Sequence, residues 1–311
     1  MVKLLIGGSP CTYWSVLQAP GTREVAAEGL GWELFKNFLI AKEKFKPDYF
    51  LYENNKSASA AIKAQIETEL GEKLMYINSA LVSAQNRNRF YVFNWRAEQP
   101  QDRKIKFADI IESGLGFQEK AYTLTTRCGN GAIIYDTLEK NRHTMIAEKA
   151  ESSSGEENAT ANQRTYLVKS GNVTMRGKTH KIDLPDGFYK FRQMTVRECE
   201  RLQTMPDYYT KAASKNQAYK MLGNGWTAEV IKHLIAAANI PLDEEIIVLS
   251  MYDGMGTGRY VLDNLGYKNV KYFAYEIDKP AISVAVDNYP DIIQMGDAFE
   301  VRKEGWALQC D

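Results

Sequence analysis

The sequence predicts an α/β fold, a doubly wound and mostly parallel sheet interrupted by a smaller, irregular β-rich segment. Three observations predict it. Short apolar runs recur at both ends of the chain, each closed by a turn and followed by a helical pattern, which is how strand–helix units of a parallel sheet read. The stretch 120–190 is instead polar and turn-rich, carrying Gly129-Asn130-Gly131, Ser152-Ser153-Ser154-Gly155 and Pro185-Asp186-Gly187. The 311 residues, 44% hydrophobic and 25% charged, suffice for one large core and a second small one.

The elements follow in order. Residues 2–7 are an apolar run closed by glycines, the form of a buried parallel strand. A helix is expected over 31–44, with Leu34, Phe38 and Ala41 on one face. A strand at 49–52, a helix at 58–70 and a closing pair of strands at 74–82 and 90–95 come next. Within the insert only short strand-like pieces such as 166–168 stand out, and 151–162 reads as mobile. At the far end, 246–251, 272–275 and 292–295 are strands, separated by helices at 257–265 and 280–288. The second of these has proline in its first turn, where a missing N–H is harmless.

Composition excludes several classes. No apolar run approaches the roughly 18 residues that a membrane span needs, and the opening residues are too short an apolar stretch for a signal peptide. Cys11, Cys128, Cys199 and Cys310 have no metal or redox spacing, so a reduced, cytoplasmic protein without a metal site is expected. The net charge of zero is unevenly spread: residues 243–311 carry 13 acidic and 6 basic side chains, leaving 33 basic against 26 acidic in 1–242. A basic larger part suits a polyanion and an acidic end suits a small cation, although solvated surface charge gives the same counts.

Chemistry-bearing residues gather at strand ends. Ser250 to Gly258 (Ser-Met-Tyr-Asp-Gly-Met-Gly-Thr-Gly) turns a strand into a helix, where backbone can approach a ligand at the carboxyl edge of a sheet. Its spacing is not the dinucleotide fingerprint. Glu276 ends the next strand, about 20 residues on, where a carboxylate can take ribose hydroxyls, and Asp297 follows the third. Together they suggest a nucleoside site, and S-adenosyl-L-methionine, a cation, suits the acidic end better than a phosphate-bearing nucleotide. Cys11 lies in the turn Gly7-Gly8-Ser9-Pro10-Cys11 after the first strand, and Glu53 ends its neighbour. A lone cysteine is usually a small buried residue, but at strand ends the two make a nucleophile and acid pair. In Gln85-Asn86-Arg87-Asn88-Arg89, alternate residues share a face, and the guanidinium groups can hold a phosphate or a base carbonyl.

As a set these motifs resemble the cytosine-C5 DNA methyltransferases. The resemblance rests on Pro10-Cys11, Glu53-Asn54, the Gln-x-Arg-x-Arg of 85–89, the run 194–203 through Pro206-Asp207, Gly223-Asn224, and the glycine turn with Glu276 and Asp297. It covers nearly all of the chain but the insert. Tyr252-Asp253-Gly254 and Gly225-Trp226-Thr227 look closest to the catalytic domains of the de novo enzymes. Two features depart from the family pattern. The order is circularly permuted, with the cofactor motifs last, and Asn55 stands where valine is usual.

The resemblance implies a DNA (cytosine-5-)-methyltransferase acting on double-stranded DNA. Its parts would be a catalytic domain, first part, at 1–118, a target-recognition domain at 119–191, and a catalytic second part at 192–311. Cys11, Glu53, Arg87 and Arg89 would be catalytic, with the Cys11 thiolate adding to a flipped cytosine. Tyr252, Asp253, Gly254, Gly256, Thr257, Glu276, Ile277, Asp297, Asn224 and Trp226 would bind S-adenosyl-L-methionine, leaving S-adenosyl-L-homocysteine as product. Ser15, Leu17, Arg127 and Arg176 are the candidate DNA contacts, with Arg142, Arg164 and Lys178 as further basic residues of the insert. A cognate restriction endonuclease is the candidate protein partner, and a bacterial or phage source is implied. A transfer-RNA cytosine methyltransferase on the same scaffold and a catalytically inactive DNA-binding relative are the alternatives. If the fold is kept, the strand from Val2 must lie beside that from Ile246, mid-sheet.

Overall fold

In chain order the strands are β1 (Val2–Gly7), β2 (Tyr49–Asn55), β3 (Met75–Asn78), β4 (Asn88–Phe93), β5 (Met145–Ala150) and β6 (Tyr166–Lys169). They continue with β7 (Asn172–Met175), β8 (Lys178–Lys181), β9 (Gly187–Gln193), β10 (Ile246–Met251), β11 (Val270–Tyr275) and β12 (Ile292–Gly296). The helices are α1 (Gly29–Phe45), α2 (Ala60–Leu70), α3 (Ile134–Lys140), α4 (Val196–Leu202), α5 (Lys215–Asn224), α6 (Ala228–Ala237), α7 (Thr257–Leu265) and α8 (Lys279–Asn288). The structure is a computed structural model that describes residues 1–16, 22–126, 134–151 and 164–308. All but the first residue of the segment expected to be mobile, 151–162, lies outside them.

The chain divides into two units. Unit 1 comprises Met1–Asn78, Asn88–Pro100 and Ala228–Asp311, and unit 2 comprises Ser79–Arg87 and Gln101–Thr227. The stretch 119–191 that the sequence sets apart lies inside unit 2, which also takes in 101–118 and 192–227. No described helix is long and apolar enough to cross a membrane.

Unit 1 is a mixed α/β layer structure on a seven-stranded sheet of order β12-β11-β10-β1-β2-β4-β3. The pairings from β12 to β2 are parallel, and β4 joins β2 and β3 antiparallel. β1 and β10 are therefore neighbours in the middle of the sheet. From β10 the chain winds outward through β11 to β12, and from β1 it winds the other way to β2. Between them lies the point where the winding direction reverses, the place where open α/β sheets bind ligands beyond the carboxyl ends of their strands.

Local sequence explains the elements. β10 is buried at every position, as a central parallel strand must be. On α1 the buried stripe is Trp32, Phe35, Phe38, Ala41 and Phe45, spaced by three or four. Leu34, expected on that face, sits at its margin. The helix stops at Lys46, whose left-handed backbone (φ +50°) lets its N–H reach the Lys42 carbonyl. α2 starts where Ser59 Oγ accepts from the Ile62 N–H, buries Ile62, Ile66 and Leu70, and stops at Gly71. The closing pair differs from expectation on one side: β3 ends at Asn78, and 79–81 form a 3₁₀ turn instead of continuing to 82.

Unit 2 holds a five-stranded antiparallel sheet of order β5-β9-β6-β7-β8. Its core includes Met145, Val168, Val173, Tyr189 and Phe191. The sequence shows little of this because the strands are short, and β6, β7 and β8 follow one another through two-residue turns. α4 and α5 of the same unit are set by capping boxes, Thr195 with Glu198 and Ser214 with Gln217.

In unit 1 one row of the parallel register crosses the sheet through Gly296, Tyr275, Met251, Gly7 and Tyr52. The residues that follow this row are Asp297, Glu276, Tyr252, Gly8 and Glu53. Gly7 is confined there: a Cβ would lie 2.7 Å from the Met251 carbonyl oxygen and 2.9 Å from Met251 Cβ. Backbone cannot give way as a side-chain tip does. Gly7→Ala is expected to destabilise the protein by about 1–3 kcal/mol, read as a lowered denaturation midpoint at unchanged slope; an unshifted midpoint would contradict this packing.

Candidate active site

The Cys11 turn is built by β2. Side chains alternate along a strand, so Tyr52 and Asn54 share one face. Tyr52 is held in the core by Phe35 and Phe38, whose ring centroids lie 5.0 and 5.1 Å away. Its hydroxyl is 2.7 Å from Ser9 Oγ. Asn54 Nδ2 donates to the Ser9 carbonyl at 2.9 Å, and lies 3.1 Å from the Tyr52 hydroxyl. These buried groups fix the residue two before the cysteine. Burial pushes the Tyr52 phenol far above its usual pKa, so it stays a neutral hydroxyl. Cys11 itself is partly exposed and opens a 3₁₀ turn to Trp14. Ser15 follows that turn, and Leu17 lies outside the described residues.

Behind the turn, Glu24 ties two segments together. It accepts from Trp14 Nε1 at 3.2 Å and from the Gly31 N–H at 3.1 Å. Arg23 donates to the carbonyls of Trp14 and Ser57.

Glu53 lies within β2, which runs on to Asn55, three residues further than expected. It is opposite Tyr91 on β4, and Arg89 is opposite Asn55, so Glu53 and Arg89 are diagonal neighbours. Arg89 Nε is 3.2 Å from Glu53 Oε1, with the two side chains 15% and 12% exposed. An acid and a guanidinium are thus paired with only a small part of each side chain exposed. Asn55 positions backbone: its Oδ1 accepts from the Ser57 N–H at 2.6 Å.

Gln85 and Arg87 belong to unit 2 and Arg89 to unit 1, and each has partners in its own unit. Arg87 is buried and donates to the carbonyls of Leu124, Gly223 and Gly225 at 2.9, 3.0 and 2.7 Å. Gln85 bonds Leu202 and Gln203. Both support loops of unit 2.

The glycine turn follows β10. Tyr252, Gly254 and Gly256 all have left-handed backbones, with φ of +61°, +67° and +79°. Only glycine adopts this without strain, and Tyr252 is held to it by its hydroxyl, which donates to the Leu34 carbonyl at 2.7 Å and accepts from Asn37 at 3.1 Å. Space above Gly254 is open, since a Cβ there would meet nothing within 4 Å. Gly256 caps α7, and Thr257 is its buried first residue. Glu276 locks the turn by accepting from the Gly254 N–H at 2.8 Å and, through its other oxygen, from the N–H groups of Ile277 and Asp278. Asp253 Oδ1 accepts from Tyr272 and Ser250 at 2.6 and 2.7 Å. Its Oδ2 is shielded and has no hydrogen-bond partner among the described residues. Burial raises the Asp253 pKa to about 6.

Ile277 is 68% exposed, an apolar side chain left uncovered beside Glu276. Asp297 is exposed, and its Oδ1 accepts from the Phe299 N–H at 2.9 Å. Asn224, exposed, and Trp226, half-buried, belong to unit 2, as does Arg176 in the β7–β8 turn. Arg127 lies outside the described residues. Among the described residues no cluster of His, Cys, Asp and Glu is arranged to hold a metal. The sequence names Ser9 and Asn54 within motifs but gives no role to them, nor to Tyr52 and Glu24; only the spacing of Tyr52 and Asn54, two apart on one strand, hints at a shared partner.

A parallel sheet with an open glycine turn at its switch point, locked by a carboxylate from the next strand, is consistent with a methyltransferase fold. The chain belongs to the C-5 cytosine-specific DNA methylase family, whose model matches residues 1–239. It is 28% identical over 254 residues to the Type II methyltransferase M1.ScrFI of Lactococcus lactis subsp. cremoris, covering 75% of this chain and 61% of that protein. It is 25% identical over 250 residues to M.SsoII of Shigella sonnei, covering 74% and 62%. M.AplI of Arthrospira platensis is 25% identical over 260 residues, covering 78% and 70%. The chain thus spans about three fifths of the length of the first two relatives.

The Asn54 clamp generates a prediction. Asn54→Ala leaves the Ser9 carbonyl without its side-chain donor in a buried setting, which costs about 1–3 kcal/mol. A denaturant titration should show that loss, and Tyr52→Phe a smaller one; two unchanged midpoints would mean that the clamp does not hold the turn.

Proposed function

We propose that this chain is a DNA (cytosine-5-)-methyltransferase, in circularly permuted order, that methylates carbon 5 of a cytosine flipped out of duplex DNA. The observation that carries the reading is the register row of unit 1. It brings the Cys11 turn, Glu53 and the glycine turn to one edge of one sheet, with Cys11 and Gly254 following the two strands that meet at the switch point. The permutation is supported by the parallel β1–β10 pairing and by the family match, which stops at residue 239, before β10 begins.

The residues present suit S-adenosyl-L-methionine. Open space above Gly254, the uncovered side chain of Ile277 and the exposed carboxylate of Asp297 support a site for a nucleoside that carries positive charge. Glu276 would take the ribose hydroxyls and Asp297 the adenine amino group, with Tyr252, Gly256 and Thr257 shaping the turn; Asn224 and Trp226 are assigned to the cofactor from the family resemblance alone. When bound, this cofactor supplies an electrophilic methyl group.

Carbon 5 of cytosine is a weak nucleophile until the ring is activated. The Cys11 thiolate adds to carbon 6, and the electron pair of the 5,6 double bond is released toward carbon 5. Glu53 hydrogen-bonds or protonates N3 and steadies the amino group as charge develops. Arg89, paired with Glu53, holds the carbonyl at position 2, while Arg87 keeps the adjoining loops in place. Once carbon 5 carries its methyl group, loss of its proton and departure of the Cys11 sulfur restore the ring. A ring attacked from its face must leave the stack, so base flipping follows from the chemistry. Ser15 and Leu17 are the proposed contacts near the vacated space.

The division into 1–118, 119–191 and 192–311, with target recognition in the middle part, is part of the same proposal. Arg127 and Arg176 are its DNA contacts. Because the relatives are named Type II methyltransferases, a cognate restriction endonuclease in a bacterial cytoplasm is the partner and setting that fit.

Incubation of the protein with labelled S-adenosyl-L-methionine and either duplex DNA or transfer RNA tests the reading. Label should enter DNA, and Cys11→Ala should abolish transfer while cofactor affinity stays near wild type. Glu276→Ala and Asp297→Ala should each weaken cofactor binding by about 1.5–3 kcal/mol, roughly 10- to 150-fold. Label on transfer RNA alone, or full turnover by the alanine variant, contradicts the proposal.

A further inference from the structure

The hairpin joining β7 and β8 carries a side chain that its backbone disfavours. The two turn residues, Arg176 and Gly177, have φ of +50° and +75°. Left-handed backbone at both positions is that of a type I′ turn, which favours Asn, Asp or Gly at the first place. The preceding hairpin solves the same problem with the small pair Ser170 and Gly171, at +51° and +68°. Arginine is therefore not what the turn requires, and strain kept at one position points to a task for its side chain.

That side chain is arranged for recognition. Its guanidinium carbon lies 4.5 Å from the centroid of the Tyr135 ring. Arg176 makes no hydrogen bond or ion pair with any described residue, so its N–H donors keep no protein partner there. The stacking platform is itself anchored: Tyr135 is hydrogen-bonded to Glu139, and Glu139 Oε1 is 3.2 Å from Lys178 Nζ. Arg176 and Tyr135 line a cavity of about 360 Å³ together with Arg164, Tyr166 and Thr174, and no carboxylate is among its described lining residues. Two arginines and a threonine hydroxyl on this lining suit a ligand that presents acceptor atoms along an edge.

A two-stranded ribbon fits the major groove of duplex DNA, and the arginine fork matches the O6 and N7 acceptors of guanine there. We propose that Arg176, at the tip of the β7–β8 ribbon, reads a guanine of the DNA substrate and so sets one position of the recognition sequence. This rests on the DNA-directed function proposed above. Stacking on Tyr135 pre-orients the fork, and lysine, a point charge without that plane, does not substitute for it.

The test selects duplexes bound by the full-length protein from a randomised pool, alongside methylation of the same pool. Wild type should enrich a motif containing a guanine. Arg176→Asn, which the turn tolerates, and Arg176→Ala should lose preference at that one position by roughly 5- to 150-fold. The rest of the motif and cofactor affinity should stay unchanged, and Arg176→Lys should not restore the preference. An unaltered motif in both variants overturns the inference. So does a uniform loss at every position with a shallower salt dependence, which marks a phosphate contact, and so does a wild type that enriches nothing. Selective enrichment without methylation would remove the proposed activity and leave Arg176 as a reader of duplex DNA.

Discussion

The parallel pairing of β1 with β10 is the constraint on which the rest of unit 1 depends. The two strands run level, from Val2 opposite Ile246 to Gly7 opposite Met251. A slip of one residue would turn every side chain of β1 to the other face and take the Cys11 turn out of line with the glycine turn. Contacts at the start of the strands hold the register. The Val2 N–H donates to the Glu245 carbonyl at 2.7 Å, and the Met1 ammonium is 2.8 Å from Glu244. The ion pair is exposed and adds little. The fully buried Leu4, Leu5, Ile6, Val248 and Leu249 set the alignment.

Given that alignment, each functional turn is fixed by the strand beside it. Tyr52 and Asn54 of β2 hold the turn that leaves β1, and Glu276 after β11 holds the turn that leaves β10. The same logic explains Glu53 and Arg89, whose contact is a consequence of the β2–β4 register. On β2, Tyr52 and Asn54 point to one face and hold the Ser9 turn, while Glu53 points to the other and pairs with Arg89. Alternation along a single strand separates the two tasks.

The fold was legible where burial leaves a plain pattern. Central strands such as 246–251 are apolar at nearly every position, and α1 repeats its apolar stripe over four turns. Less was legible in unit 2. Its strands are four to seven residues long, and α4 and α5 are mostly polar, although their capping boxes at Thr195 and Ser214 were available as start signals. In the candidate site, Cys11 and Glu276 stand out in sequence because each closely follows an apolar run, whereas Glu53 stands out by its motif, the strand running on past it to Asn55. Ser9 with Tyr52 and Asn54 could not, since the partners are more than forty residues apart and meet only through sheet pairing. Arg87 and Arg89 read as a pair in sequence but take different partners, backbone carbonyls of unit 2 for Arg87 and Glu53 of unit 1 for Arg89, and local alternation carries no sign of either.

The proposed reaction depends above all on Cys11 as the nucleophile. The most direct measurement is peptide mapping by mass spectrometry after incubation with S-adenosyl-L-methionine and a duplex in which cytosine is replaced by 5-fluorocytosine. Fluorine at carbon 5 cannot leave as a proton does, so the adduct persists. A denaturation-resistant complex linked through Cys11, formed only when the cofactor is present, is the predicted result. A complex linked through another residue, or none under conditions where unmodified duplex is methylated, would contradict it.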